Sequence, residues 1–263
     1  MPYEFITTEV RGSTYLITLD REQARNAMNS QMMAEMCDAL DVWDRDANLR
    51  ACVIANKGPV FCAGADLKEI SAGTWSLPDD KADWGFAGMT KRYFDKPLIA
   101  AVRGKCLGGG LEMVLACDLA VASEESLFGF PEPRVGLTAA GGGALLRLAQ
   151  HIPMKFAQEL LLIAEPIDAT CALGWGLVNR VVPDSNVVSE ALALAEKIAL
   201  SAPLAIKYSK RTAYETMGAS NTIYPSKAWD ILVDYEKITA QSEDAHEGST
   251  AFAQKRAPQW KGR

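Results

Sequence analysis

The chain has 263 residues, of which 49% are hydrophobic and 23% charged, the composition of a globular protein large enough for one α/β domain or a core with a small extension. Its formal net charge is −6, and no basic block interleaves with aromatics, which argues against a nucleic-acid partner. No apolar run approaches the ~20 residues needed to cross a membrane, and MPYEFITTEVRG has neither the basic start nor the apolar stretch of a secretory signal, so a cytoplasmic protein is expected.

Residues 3–10 and Thr14–Leu19 alternate and carry β-branched side chains, predicting a hairpin joined at Gly12. After the polar stretch DREQARNAMN, a helix starts at Ser30 with Asn29 as its cap and Met32, Met33, Met36, Leu40 and Trp43 on its core face. Ala51–Ala55 reads as a buried strand, and a helix is expected to start near Leu67. Residues 71–88 are irregular, with Trp75, Trp84 and Phe86 either forming a pocket wall or anchoring the loop to the core. A helix over Met89–Asp95 and a strand over Leu98–Val102 follow.

Three glycines, Gly108–Gly110, precede an apolar helix expected over Leu111–Cys117. A helix start leaves backbone N–H groups without partners, so an amide there is free to meet an anionic oxygen. Glu112 lies in the first turn. Glu132 lies between Pro131 and Pro133, and the second proline biases it toward an extended backbone. Two carboxylates beside such an amide point to acid/base chemistry on a carbonyl compound, or else to tight packing around common residue types. The two histidines, His151 and His246, carry no motif, which disfavours a His-built zinc site or a Ser-His-Asp triad. The six cysteines form no C-x-x-C pair and read as buried free thiols.

Strands are expected over Leu119–Ala122 and Val178–Val182, with the segment Leu127–Phe130 between the first of them and Glu132, and helices over Ala144–Gln150, Met154–Ile163 and Asp168–Leu173. Beyond Ser185 the chain turns helical, over Val187–Leu200, Ala205–Thr216, Trp229–Gln241 and Asp244–Lys255. The composition shift divides the chain into 1–200 and 201–263, and the apolar faces of the last helices suggest packing on neighbouring subunits.

The segment RGKCLGGGLEMVLACDLAVASEESLFGFPEPRVGLTAAGGG, with FCAGADLKE before it and ALGWGLVNRVV after, resembles the enoyl-CoA hydratase/isomerase (crotonase) family over essentially the whole chain. The resemblance implies an α/β spiral of repeated β-β-α units with a helical C-terminal oligomerisation region, assembled as a homo-trimer or as a homo-hexamer of paired trimers. It implies that the amides of Ala65 and Gly109 form an oxyanion hole, and that Glu112 and Glu132 are the two catalytic glutamates of the hydratases. Contacts to coenzyme A are implied at Arg25, Ala27, Ala63, Asp66, Lys68 and Lys255. Arg25 and Lys68 read equally well as solvated side chains, Asp66 as the holder of its turn, and Lys255 as a basic residue at a helix C-terminus.

The implied reaction is reversible syn-hydration of a 2-enoyl-CoA to a 3-hydroxyacyl-CoA. It requires no cofactor or metal, since coenzyme A arrives as part of the acyl-CoA substrate. Phe252, Lys255 and the tail PQWKGR resemble the part that closes over the CoA site. Rival readings are an enoyl-CoA isomerase, a non-enzymatic acyl-CoA binder, and a carnitinyl-CoA dehydratase, which GFAGMT, SEDAHEGSTAFAQKR and WKGR resemble. One departure from the family pattern is the loop Gly136–Gly142, which lacks the usual proline before its glycines.

Overall fold

The computed structural model describes residues 2–217 and 227–263. It comprises two compact units, 1–195 and 196–263.

In the first unit, β1 (Ile6–Arg11) and β2 (Thr14–Leu19) form the expected antiparallel hairpin, paired from Ile6 with Leu19 to Arg11 with Thr14. Helix α1 (Ser30–Arg45) follows, its first turn capped where the Asn29 side chain accepts from the Met32 amide at 3.0 Å. Its methionines and Trp43 are fully buried. The chain then repeats one pattern: β3 (Ala51–Asn56), β4 (Val60–Cys62) and α2 (Leu67–Ala72), then β5 (Leu98–Val102), β6 (Lys105–Leu107) and α3 (Gly109–Ala116). A third pass gives β7 (Leu119–Ser123), β8 (Leu127–Gly129) and a short 3₁₀ turn over Glu132–Val135.

Among the described residues, the first strand of each pass joins a six-stranded sheet ordered β1-β2-β3-β5-β7 and a final strand. The second strand of each pass joins a smaller sheet, where β4, β6 and β8 run parallel. Each pass thus advances the chain by one strand in both sheets, which makes the α/β spiral. The central strands β3 and β5 are buried along their whole length, as parallel strands covered on both faces must be.

The unit continues through α4 (Ala144–His151), α5 (Met154–Ile163), β9 (Ile167–Asp168) and α6 (Ala169–Trp175). It then gives β10 (Arg180–Val182), which completes the large sheet beside β7, and ends within α7 (Val187–Ala199), at Ala195.

Two local expectations are corrected. Met89–Asp95 is irregular rather than helical. There the Arg92 guanidinium lies over the Trp84 ring at 3.9 Å and the Phe94 ring at 4.7 Å and pairs with Asp41 and Asp44, an anchorage that outweighs helical propensity. Glu132 is not extended but opens a 3₁₀ turn, because Pro133 stands at its start, where a proline needs no N–H partner and its fixed φ suits a helix.

The second unit contains α8 (Pro203–Glu215), α9 (Lys227–Ala240) and α10 (Glu243–Ala253). Helices α8 and α9 meet through the Tyr208 and Tyr235 rings, 4.8 Å apart. The C-terminal tail is tied down by the buried Asp244, whose carboxylate accepts from the Lys261 and Gly262 amides at 2.6 and 3.0 Å. The side chains of Trp229 and Phe252 lie outside the described residues.

Candidate active site

The site is built where α2 and α3 begin, each just after a short strand of the small sheet. Residues 63–66 lie alongside 25–28 as an added parallel ribbon. The Ala63 amide donates to the Arg25 carbonyl at 3.1 Å, Met28 to Gly64 at 2.8 Å and Asp66 to Met28 at 3.0 Å. This ribbon fixes the backbone of Ala65, which bridges Met28.

Asp66 holds the end of the ribbon. Its carboxylate caps α2 through the Lys68 amide at 3.0 Å and pairs with Arg21 at 2.8 Å, and the Arg21 guanidinium also reaches the Ala27 carbonyl. Burial pushes the Asp66 carboxyl up, but the Arg21 guanidinium and the Lys68 and Glu69 amides outweigh it and hold the group below its ordinary range.

The second turn starts α3. A Cβ placed on Gly64 would lie 3.3 Å from the Gly109 nitrogen, so the two turns are in contact. Among the described residues, neither the Ala65 nor the Gly109 amide donates to a protein acceptor. Two adjacent main-chain donors without a protein acceptor thus stand at the starts of two helices, a corner with the chemistry to meet an anionic oxygen.

Both glutamates face this region. Glu112 is buried, and one of its oxygens accepts from the Ala144 amide at 3.1 Å. A Cβ on Gly142 would meet its other oxygen at 2.6 Å, so the glycine turn before α4 lies directly on this carboxylate. Glu132 packs against Gly108, where a Cβ would lie 2.6 Å from its Oε1. Its Oε2 is buried with no hydrogen-bond partner among the described residues. Burial, and then repulsion from Glu112, raise the Glu132 carboxyl above its ordinary 4.5, with its own amide partly offsetting them. The setting shifts the carboxyl toward its protonated form.

An aromatic wall closes one side. The Phe86 ring covers Gly109, with its Cζ 2.5 Å from where a Cβ on Gly109 would stand. The Trp75 ring stacks 6.3 Å from Phe86, and its indole N–H donates to the Met28 carbonyl at 2.9 Å. Trp84 belongs elsewhere, since its face carries the Arg92 and Lys81 cations.

The structure therefore gathers Ala63, Ala65, Asp66, Arg25 and Ala27 into one ribbon beside Gly109, Glu112 and Glu132. The side chains of Arg25 and Lys68 are exposed on this first unit. Lys255 belongs to the second unit, exposed just beyond α10 with φ of 53°. The supports from Ala144 and Arg147 leave no mark in the local sequence pattern, because Ala144 meets Glu112 across 32 residues and Arg147 meets Thr90 across 57. The glycine run 141–143 is the visible trace of the third support, Gly142. The six cysteines are free, five of them buried and Cys171 exposed. Among the described residues no cluster of His, Cys, Asp or Glu side chains is arranged to hold a metal ion, and no helix is long and apolar enough to cross a membrane.

The family model for enoyl-CoA hydratase/isomerase matches residues 9–263. A carnitinyl-CoA dehydratase of Proteus mirabilis is 39% identical over 257 residues, covering 96% of this chain and 97% of the relative. An enoyl-CoA hydratase of Mycobacterium tuberculosis is 38% identical over 262 residues, covering 97% and 96%. Among solved structures, an enoyl-CoA hydratase from Mycobacterium tuberculosis superposes with a TM-score of 0.91 at 39% identity, covering 100% of both chains. A carnitinyl-CoA hydratase from Mycobacterium avium superposes with a TM-score of 0.77 at 46% identity, covering 98% of this chain and 99% of that one.

Proposed function

This chain belongs to the enoyl-CoA hydratase/isomerase family, and from that premise we propose that it adds water reversibly to a trans-2-enoyl-CoA, giving a 3-hydroxyacyl-CoA. The observation that carries the reading is the unlike pair of glutamates beside two free amides. Glu112 is buried and accepts a hydrogen bond, while Glu132 is pushed toward its protonated form with an oxygen left unpartnered.

In this reading the thioester oxygen sits between the Ala65 and Gly109 amides. As water adds to C3, negative charge moves onto that oxygen, and donors already aimed there stabilise the transition state over the ground state. Each such donor is worth about 3 kcal/mol. Glu112 takes a proton from water as its oxygen bonds to C3, and Glu132 gives its proton to C2 on the same face. The step leaves Glu112 protonated and Glu132 ionised, and proton exchange restores the pair before the next turnover.

Coenzyme A enters as part of the substrate, and no further cofactor takes part in the reading. Arg25 and Lys68 supply cations for its phosphates. The 25–28 and 63–66 ribbons, with Ala27, Ala63 and Asp66, supply the main chain against which it lies. Assembly as a trimer or a hexamer of paired trimers belongs to the same proposal.

A second reading, hydration or elimination on a carnitine-type acyl group, is favoured by the 46% identity to the Mycobacterium avium protein. Such a group needs an open aromatic face for its quaternary ammonium. Trp84 already holds two cations and Trp75 is stacked on Phe86, which favours a plain enoyl chain. The test is loss of the conjugated enoyl-thioester absorbance with crotonyl-CoA, a long-chain enoyl-CoA and crotonobetainyl-CoA side by side. Turnover of crotonyl-CoA supports the proposal. Turnover of crotonobetainyl-CoA alone moves the assignment to the carnitine branch. No turnover of any of the three refutes hydration. Oxygen-18 from labelled water at C3 separates hydration from isomerisation.

A further inference from the structure

We infer that Arg147 is a positioning residue for Glu112, holding the glycine turn on which that carboxylate rests; the inference rests on the catalytic role proposed for Glu112. Arg147 lies on α4, half-buried, and among the described residues it forms no ion pair. Its guanidinium instead donates to two main-chain carbonyls, Gly142 at 2.9 Å and Thr90 at 2.5 Å. Withdrawing a guanidinium from water to bond two neutral carbonyls costs free energy that a surface arginine avoids, so the arrangement calls for a reason.

The reason lies one contact away. Gly142 presses on Glu112 so closely that a Cβ there would meet the carboxylate oxygen at 2.6 Å, and the Ala144 amide donates to the opposite oxygen. These two contacts flank Gly143, whose φ is +87° and whose missing Cβ leaves the space that the guanidinium occupies, 2.8 Å from Nη1. The Gly143 amide reaches the Ala140 carbonyl at 3.3 Å, and the Gly143 carbonyl accepts from the Leu146 and Arg147 amides at 3.1 and 3.0 Å, bonds that stay within the turn and α4. Beside the Ala144 amide on Glu112, the Arg147 guanidinium ties the Gly142–Ala144 segment to a residue outside them, through the Thr90 carbonyl.

The anion corner has supports of its own. Phe86, which covers Gly109, is held by Trp75, by the Gly88 amide on the Gly85 carbonyl at 2.9 Å and by the Met89 amide on the Phe86 carbonyl at 3.2 Å, and it shares with the Arg147 tie the Thr90 amide on that same carbonyl. Glu132 is packed on Gly108. Loss of Arg147 thus loosens the water-activating carboxylate and leaves the oxyanion donors and the C2 acid in place. Lysine cannot substitute, because a single ammonium lacks the planar fork that spans both carbonyls.

Two reactions separate these roles. Hydration of crotonyl-CoA needs both glutamates. Exchange of the α-protons of butyryl-CoA with heavy water, followed by NMR, adds no water and needs only the amides and Glu132. Arg147→Lys and Arg147→Ala are expected to lower kcat for hydration about tenfold to a hundredfold, the scale of a small misplacement of a catalytic group, with exchange held within about twofold. The circular-dichroism melt selects the folded variants, and Arg147→Lys carries the test if the alanine variant does not fold. Hydration within about twofold of wild type overturns the inference, as does a parallel fall of both reactions, which is what a general structural role produces. Glu112→Gln, run alongside, should lose hydration and keep exchange. If it hydrates normally, the role of Glu112 fails and the inference with it. If Glu112→Gln behaves as expected and the Arg147 variants do not follow it, the inference alone fails.

Discussion

Glu132→Gln makes the sharpest test of the site, because it should damage catalysis and improve the fold together. The amide keeps the shape of the side chain but removes the ionisable proton. The Glu132 carboxyl is raised above its ordinary 4.5 by burial and by Glu112, and its Oε2 is buried without a partner. General acid catalysis is worth about 10²- to 10⁴-fold, so kcat for crotonyl-CoA should fall by that factor, or about 3 to 5 kcal/mol. The glutamine amide is polar as well and leaves that buried position unsatisfied, so what the substitution removes is the desolvation and repulsion of the ionised carboxylate; with the residue only partly buried this is about 1 kcal/mol at pH values where Glu132 is ionised. For a chain of this size that is about 2–4 °C in Tm above the raised pKa of Glu132.

The sign follows from linkage. A carboxyl whose folded pKa is raised favours the folded state at low pH and loses that contribution as pH rises through the folded value. The advantage of Glu132→Gln in Tm should therefore be largest above the raised pKa of Glu132 and shrink on acidification through it. Paired melts across this range, beside the absorbance assay, measure both effects. Activity within about threefold of wild type would refute the acid role. A variant that is inactive and less stable above the raised pKa of Glu132 would refute the strained-carboxyl reasoning.

Further expectations follow from the same geometry. Wild-type kcat for hydration should fall on the alkaline side as Glu132 loses its proton, and the limb should vanish from the residual activity of Glu132→Gln in a pH-rate profile. Gly109→Ala drives a methyl into the Phe86 ring and should lower kcat by about 10²-fold, the loss of one donor, with Phe86→Leu in the same chain restoring part of it in steady-state assays. Asp66→Asn breaks the largely buried pair with Arg21 and should cost about 2 kcal/mol in urea unfolding at neutral pH. Because the folded pKa of Asp66 is depressed below its ordinary 3.8, that stabilisation is present above 3.8 and is lost as pH falls through the folded value, so the two proteins should converge in strong acid.

Much of the fold was legible along the chain. The methionine stripe of α1, its Asn29 cap and the strand Leu98–Val102 follow from periodicity and from one side-chain oxygen, which are local signals. Met89–Asp95 misled because its fate is decided by Arg92 between two rings and two aspartates, partners contributed largely by other segments. Glu132 departs from the extended backbone expected before a proline because Pro133 also suits the start of a turn, and the two effects oppose each other at one position. At the site, the positions of Glu112, Glu132, Ala65 and Gly109 stood out, but their supports did not. Ala144 meets Glu112 across 32 residues and Arg147 meets Thr90 across 57, and no local pattern marks either contact.

The pairing of β4 with β6 has a genetic corollary. The parallel register that sets Cys62 opposite Cys106 also sets the spacing of the Ala65 and Gly109 amides a few residues downstream. Every non-proline residue carries an N–H, so the donor itself is written in no codon, although at Gly109 any missense change also brings a Cβ against the Phe86 ring. What it cannot survive is a change of count. One residue inserted after either strand would shift its amide by about 3.3 Å, the rise of a strand residue, and carry it out of hydrogen-bonding range of a shared oxygen. Insertions and deletions around 63–65 and 107–109 are thus the lesions to which this half of the site is most exposed, even where every recognisable side chain is intact.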